Sequence, residues 1–170
     1  LALVNAAIAA GIRITVLDTC YLHAGPGAPL GADQTRFGDG SVEEWLERWH
    51  ALRDALPDSP LVTMGAALHS VRAVSPDEMA TAMSGLPERV PIHIHVSEQL
   101  RENIECLDAH GLTPTAALER AGVLSERTTV VHATHLTDDD IATIADSNTI
   151  VSLCPCLLYT SDAADERSSV

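Results

Sequence analysis

Five short runs of β-branched and other apolar residues punctuate the chain: Ile12 to Leu17, Leu61 to Leu68, Val90 to Val96, Thr128 to Val131 and Thr149 to Leu153. Each has the length of a buried strand. Between them the apolar positions recur at helical spacing, and the helices open on recognisable start signals. Ser41 followed by Glu44 predicts a capping box, ahead of a stripe formed by Val42, Trp45, Leu46, Trp49, Leu52 and Leu56. Both tryptophans read as packing residues on that stripe. Ser75-Pro76-Asp77-Glu78 repeats the device, with proline at a position where its missing N–H costs nothing. Thr113-Pro114, and Thr137 with Asp138, Asp139 and Asp140, open two more helices, the acids facing the positive end of the helix dipole. Leu1 to Ala10 reads as the interior of a further helix.

Strand and helix alternate along the whole native-looking length, which predicts a parallel α/β sheet. No G-x-G-x-x-G follows a strand and no G-K-[ST] loop occurs, so the open, nucleotide-binding sheets lose support. The predicted fold is part of a TIM-type (β/α)8 barrel, about five central βα units of it. Residues 1–155 form that segment. From about Cys156 to Val170 the composition changes abruptly and resembles translated vector sequence, so this tail is expected to be non-native. The leading Leu and the helix already under way at residue 1 add the expectation that the chain is a piece of a longer protein.

Charge narrows the partners. With 24 acidic against 10 basic residues the net charge is −14, which would repel a phosphate backbone or an anionic membrane surface. Neither nucleic acid nor membrane is therefore expected, and no apolar run approaches the ~18 residues of a membrane span. An anionic small molecule would need a local cation, which draws attention to each arginine near a pocket. The cysteines Cys20, Cys106, Cys154 and Cys156 form no secreted-domain framework and read as reduced thiols of a cytoplasmic protein.

The candidate chemistry gathers where the strands end. Leu61 to Leu68 runs into His69-Ser70-Val71-Arg72; Val90 to Val96 carries His93 and His95, with Glu98 just beyond; Thr128 to Val131 runs into His132, Thr134 and His135. In a parallel barrel these ends share one rim, where catalytic groups collect. His93 and His95, two apart on a strand, point to one side of the sheet. Neighbouring buried imidazoles need hydrogen-bond partners or a cation, and imidazole with carboxylate suits zinc or iron. One His or two cannot complete a site that takes about three protein ligands and a water.

His93-Ile94-His95-Val96-Ser97-Glu98 resembles the fifth-strand motif of the amidohydrolase-superfamily deaminases, and Val131-His132-Ala133-Thr134-His135 resembles their sixth-strand motif. The resemblance implies that His95 binds one divalent metal (zinc, with iron as the alternative), that Glu98 shuttles protons, and that His132 contributes to the metal site or stabilises the transition state. His69-Ser70-Val71-Arg72-Ala73-Val74 is similar to the substrate-recognising segment of the formimidoylglutamate deiminase family, as are Leu17 to Tyr21 and Arg36-Phe37. That implies substrate contacts from His69 and Arg72. It also implies hydrolytic deamination of N-formimidoyl-L-glutamate by an intact, homodimeric parent. A bidentate guanidinium suits a substrate carboxylate; an ion pair with a neighbouring Asp or Glu is the other use of Arg72. The family's first-strand H-x-H and eighth-strand Asp have no counterpart in this chain, so the fragment itself is expected to be inactive. Two rival readings stand beside this one: a related deaminase of purine or pyrimidine bases, and a barrel segment without catalysis.

Overall fold

The structure is a computed structural model, and it describes residues 1–155. The predicted read-through tail and Cys156 lie outside the described residues. Five strands, β1 (Ile14–Cys20), β2 (Val62–Ser70), β3 (Ile92–Val96), β4 (Thr128–His132) and β5 (Ile150–Ser152), alternate with helices α1 (Ala2–Ala10), α2 (Val42–Ala55), α3 (Pro76–Gly85), α4 (Leu100–His110), α5 (Pro114–Arg120) and α6 (Asp138–Asp146). All four strand pairings are parallel, and the spatial order is the chain order, β1-β2-β3-β4-β5. A doubly wound sheet would reverse order at a switch point. An unbroken order is what an arc of a (β/α) barrel gives.

One face of the sheet carries the core. On β3, Ile92, Ile94 and Val96 are buried while His93 and His95 between them are half-buried. Trp45, Trp49, Leu68, Met79, Leu118 and Val123 complete the apolar layer between strands and helices. The Trp49 indole N–H also donates to the Gly65 carbonyl at 2.9 Å, so the helix stripe seen in the sequence packs α2 onto β2. Across the sheet, Leu17 pairs with Gly65, and a Cβ at Gly65 would come within 2.7 Å of the Leu17 side chain.

The helix starts obey the sequence signals with one correction. Ser75 with Glu78, and Thr137 with Asp140, form complete capping boxes. At α2 only half the predicted box exists: Ser41 Oγ accepts from the Glu44 amide, with no return bond. The Glu44 carboxylate instead lies over Gly40, in space that any Cβ there would fill. Cys20, Cys106 and Cys154 are free thiols, and among the described residues no helix is long and apolar enough to cross a membrane.

Candidate active site at the strand ends

The site begins with an irregularity in β2. Register between β2 and β3 runs evenly to Leu68↔Ile94, then jumps to Ser70↔His95, leaving His69 as the extra residue of a bulge. His69 is thereby turned toward β3. Its carbonyl accepts a 2.7 Å hydrogen bond from His95 Nδ1, and the two ring centroids are 5.1 Å apart. A carbonyl can only accept, so His95 Nδ1 carries the hydrogen of this bond, and Nε2 is the ring atom left to coordinate. That is the tautomer a metal ligand needs.

His132 reaches the same place by a different route. It pairs with Val96, whose side chain is buried on the helix side, so regular pleating would turn it away from His95. Its φ of 76°, followed by 51° at Ala133, takes the backbone into the left-handed region. The ring then lies stacked 5.5 Å from that of His95. Ser97, at the end of β3, is left-handed too (φ 49°). Non-glycine residues in this region are uncommon and cluster at functional sites.

Glu98 follows Ser97 and faces two partners: Oε1 is 3.6 Å from His132 Nε2 and Oε2 is 3.6 Å from Arg72 Nη2. Arg72 lies between two carboxylates, because its Nε is 3.7 Å from Glu102 Oε2. Of the two uses of Arg72 left open by the sequence, the ion pair with neighbouring acids is therefore present. Glu102 is 1% exposed and accepts a 3.1 Å hydrogen bond from the Ser97 amide. Burial raises its carboxyl above the ordinary value, against the pull of Arg72 and the Ser97 and Glu98 amides. Burial likewise lowers the His69 pKa to about 4, helped by His95 and Arg72, which keeps that ring neutral.

Not every histidine predicted at the rim joins this cluster. His93 sits one layer deeper, paired with Ala67 and Thr129, and burial lowers its pKa. His135 is exposed, and its contribution is a backbone carbonyl that accepts from Asn103 at 2.6 Å. Three contacts escaped the sequence reading. Glu102 looks like an ordinary acid in the first turn of a helix. Tyr21, noted only as part of a family-like stretch, packs edge-on against His69 with centroids 4.6 Å apart. His23 bonds Glu78 at 2.8 Å and pins the β1–α2 loop to the start of α3.

The donor chemistry fits part of a metal site. His95 offers Nε2, and the His132 ring stacks beside it. Among the described residues, however, no three His, Cys, Asp or Glu side chains gather closely enough to hold an ion by themselves.

Comparison with known proteins agrees with this architecture. The profile of the amidohydrolase family matches residues 1–163. Formimidoylglutamate deiminase of Pseudomonas aeruginosa is 37% identical over 151 residues, 88% of this chain and 33% of its own length. A 5-methylthioadenosine/S-adenosylhomocysteine deaminase of Nitratidesulfovibrio vulgaris is 29% identical over 148 residues, 86% of this chain and 31% of its own. Among solved structures, an amidohydrolase from Brucella melitensis superposes with a TM-score of 0.84 at 32% identity, covering 94% of this chain and 35% of its own. A zinc-bound adenosine deaminase from Xanthomonas campestris gives 0.71 at 25% identity, covering 89% and 32%. The chain thus spans about a third of the length of these relatives. With the uninterrupted parallel arc, the histidines at its strand ends and a family match across nearly the whole sequence, the chain belongs to the amidohydrolase family.

Proposed function

We propose that the full-length protein carrying this chain is a metal-dependent hydrolytic deaminase acting on a linear amidine with carboxylates, N-formimidoyl-L-glutamate, to give N-formyl-L-glutamate and ammonia. The observation that carries the reading is Arg72, a cation at the rim beside Glu98, which also faces His132, in a protein of net charge −14. The identity to the Pseudomonas aeruginosa protein of that name supports the same substrate.

A divalent ion, zinc first and iron second, would be held by His95 Nε2 with His132 beside it, and when bound it supplies the positive charge that makes water nucleophilic near neutral pH. Glu98 accepts a proton from the attacking water as the oxygen adds to the formimidoyl carbon, then hands it to the terminal nitrogen. The hydroxyl of the adduct then gives up its remaining proton, which Glu98 passes to the same nitrogen as the carbon–nitrogen bond breaks, so ammonia leaves and the formyl carbonyl forms on glutamate. His132 Nε2 flanks Glu98 on one side, 3.6 Å from Oε1. Arg72 takes a substrate carboxylate with its planar fork, in place of the long contact to Glu98. Neutral His69 lines the same wall. The reading also carries the homodimer implied by the resemblance and the cytoplasmic location of a reduced-thiol protein.

Ammonia release from N-formimidoyl-L-glutamate by the full-length, metal-loaded protein, measured beside a panel of purines and pyrimidines, tests this. Release from the formimidoyl substrate, with kcat/KM reduced about 100-fold in Arg72→Ala, is the expected result. A second reading, deamination of a base, is favoured by the similarity to deaminases whose names specify adenosine derivatives. Release only from a base would establish that reading instead, and unchanged turnover of the anionic substrate in Arg72→Ala would remove Arg72 from carboxylate recognition.

A further inference from the structure

Helix α4 is capped unlike its neighbours. In α3 and α6 the acid at the third helical position reaches back to the amide of its own N-cap residue, closing the box on itself. In α4 the N-cap is Gln99, which makes no side-chain cap bond, and the acid at the third position is Glu102. Its Oε1 passes over the N-cap and takes the amide of Ser97, two residues further back. Ser97 is fully buried and left-handed, and its carbonyl accepts from the Thr134 and His135 amides at 3.2 and 3.1 Å. The turn that carries Glu98 is therefore held from α4 on one side and from the end of β4 on the other.

The second oxygen of Glu102 points elsewhere. Oε2 lies 3.7 Å from Arg72 Nε, and both atoms are buried with no hydrogen-bond partner. A buried carboxylate with an unpaired oxygen is expensive unless a cation balances it. The arginine thus faces, along its inner, Nε edge, a carboxylate that water does not reach. Its Nη2 end faces the partly exposed Glu98. One fork edge has a fixed partner and the other an exchangeable one.

We propose that Glu102 is the positioning residue of this site, one oxygen setting the Ser97 turn that aims Glu98 and the other setting the guanidinium of Arg72. The inference rests on the functional reading above for the roles of Glu98 and Arg72. An ordinary helix cap would do neither job.

Two substitutions in the full-length enzyme separate the two oxygens. Glu102→Gln keeps the reach to the Ser97 amide and loses the charge against Arg72. KM for the carboxylated substrate should rise about tenfold while kcat stays near the parent value. Glu102→Asp keeps the charge and loses the reach, so kcat should fall by up to about 100-fold as Glu98 drifts from its aim. In an Arg72→Ala background, Glu102→Gln should change KM no further. Thermal melting of each variant reports the folded fraction. If both variants lower the melting temperature alike and reduce kcat only in proportion to folded protein, Glu102 is merely a cap and the proposal is wrong. Should Glu102→Gln not fold, the kcat of Glu102→Asp decides alone. If the parent acts only on a base, the substrate reading fails separately, and the kcat loss in Glu102→Asp on that base still judges Glu102.

Discussion

In the proposed reaction Glu98 is the residue on which the chemistry turns, because it faces both sides of the site: His132 through one oxygen and Arg72 through the other, each at 3.6 Å. These distances are longer than hydrogen bonds, as is common before a substrate tightens the geometry. Its side chain is about one-third exposed, so exchange of partners costs little reorganisation. Glu98→Gln in the full-length protein should abolish ammonia release while leaving metal content, read by elemental analysis, at the parent level. Retained turnover would remove Glu98 from the proton path, and lost metal would show that it serves as a ligand.

At the scale of the element, the capping acids differ in what they hold. Glu78 returns a 2.7 Å bond to the Ser75 amide and pairs with His23, so it secures both α3 and the β1–α2 loop. Glu44 stands at the equivalent place in α2 but makes no return bond to Ser41. Glu78→Ala should cost about 1 kcal/mol and lower the melting temperature by roughly 2–4 °C. Glu44→Ala should stay within about 0.5 kcal/mol. Equal losses in the two variants, measured by thermal melting, would show that the sequence signal rather than the observed geometry decides the cap. The same logic explains α4, where an acid in the first turn is used for the site.

At the scale of the whole chain, the described residues form an arc of sheet. Among them β1 and β5 are the outer strands, and Ile150, Val151 and Leu153 are exposed at 55%, 41% and 65%. The face of the sheet that bears His93 and His95 is only half-covered. Unpaired edges and exposed apolar strand residues invite association. Purified alone, the 170-residue chain should therefore run by light scattering as oligomers that grow with concentration. A monomeric mass at all concentrations would show that its edges are protected.

Much of the architecture was legible without coordinates. Strands follow from short apolar runs, helices from the 3.6-residue period and their caps, and the parallel class from the alternation of the two; each signal is local in the chain. The rim placement of His69, Arg72, His95, Glu98 and His132 follows from strand polarity alone. Short-range signals along the chain therefore give the set of elements, their order and the end of the sheet where the candidate groups gather. Which of those groups meet depends on the tertiary fold. The bulge that turns His69 toward His95, the left-handed backbone that brings His132 round, and the reach of Glu102 to Ser97 and Arg72 are set by contacts between segments distant in sequence. Side-chain direction at a strand end is no longer governed by the pleat. It is fixed by whichever neighbouring element supplies the hydrogen bonds and charges that the backbone and side chains there must satisfy.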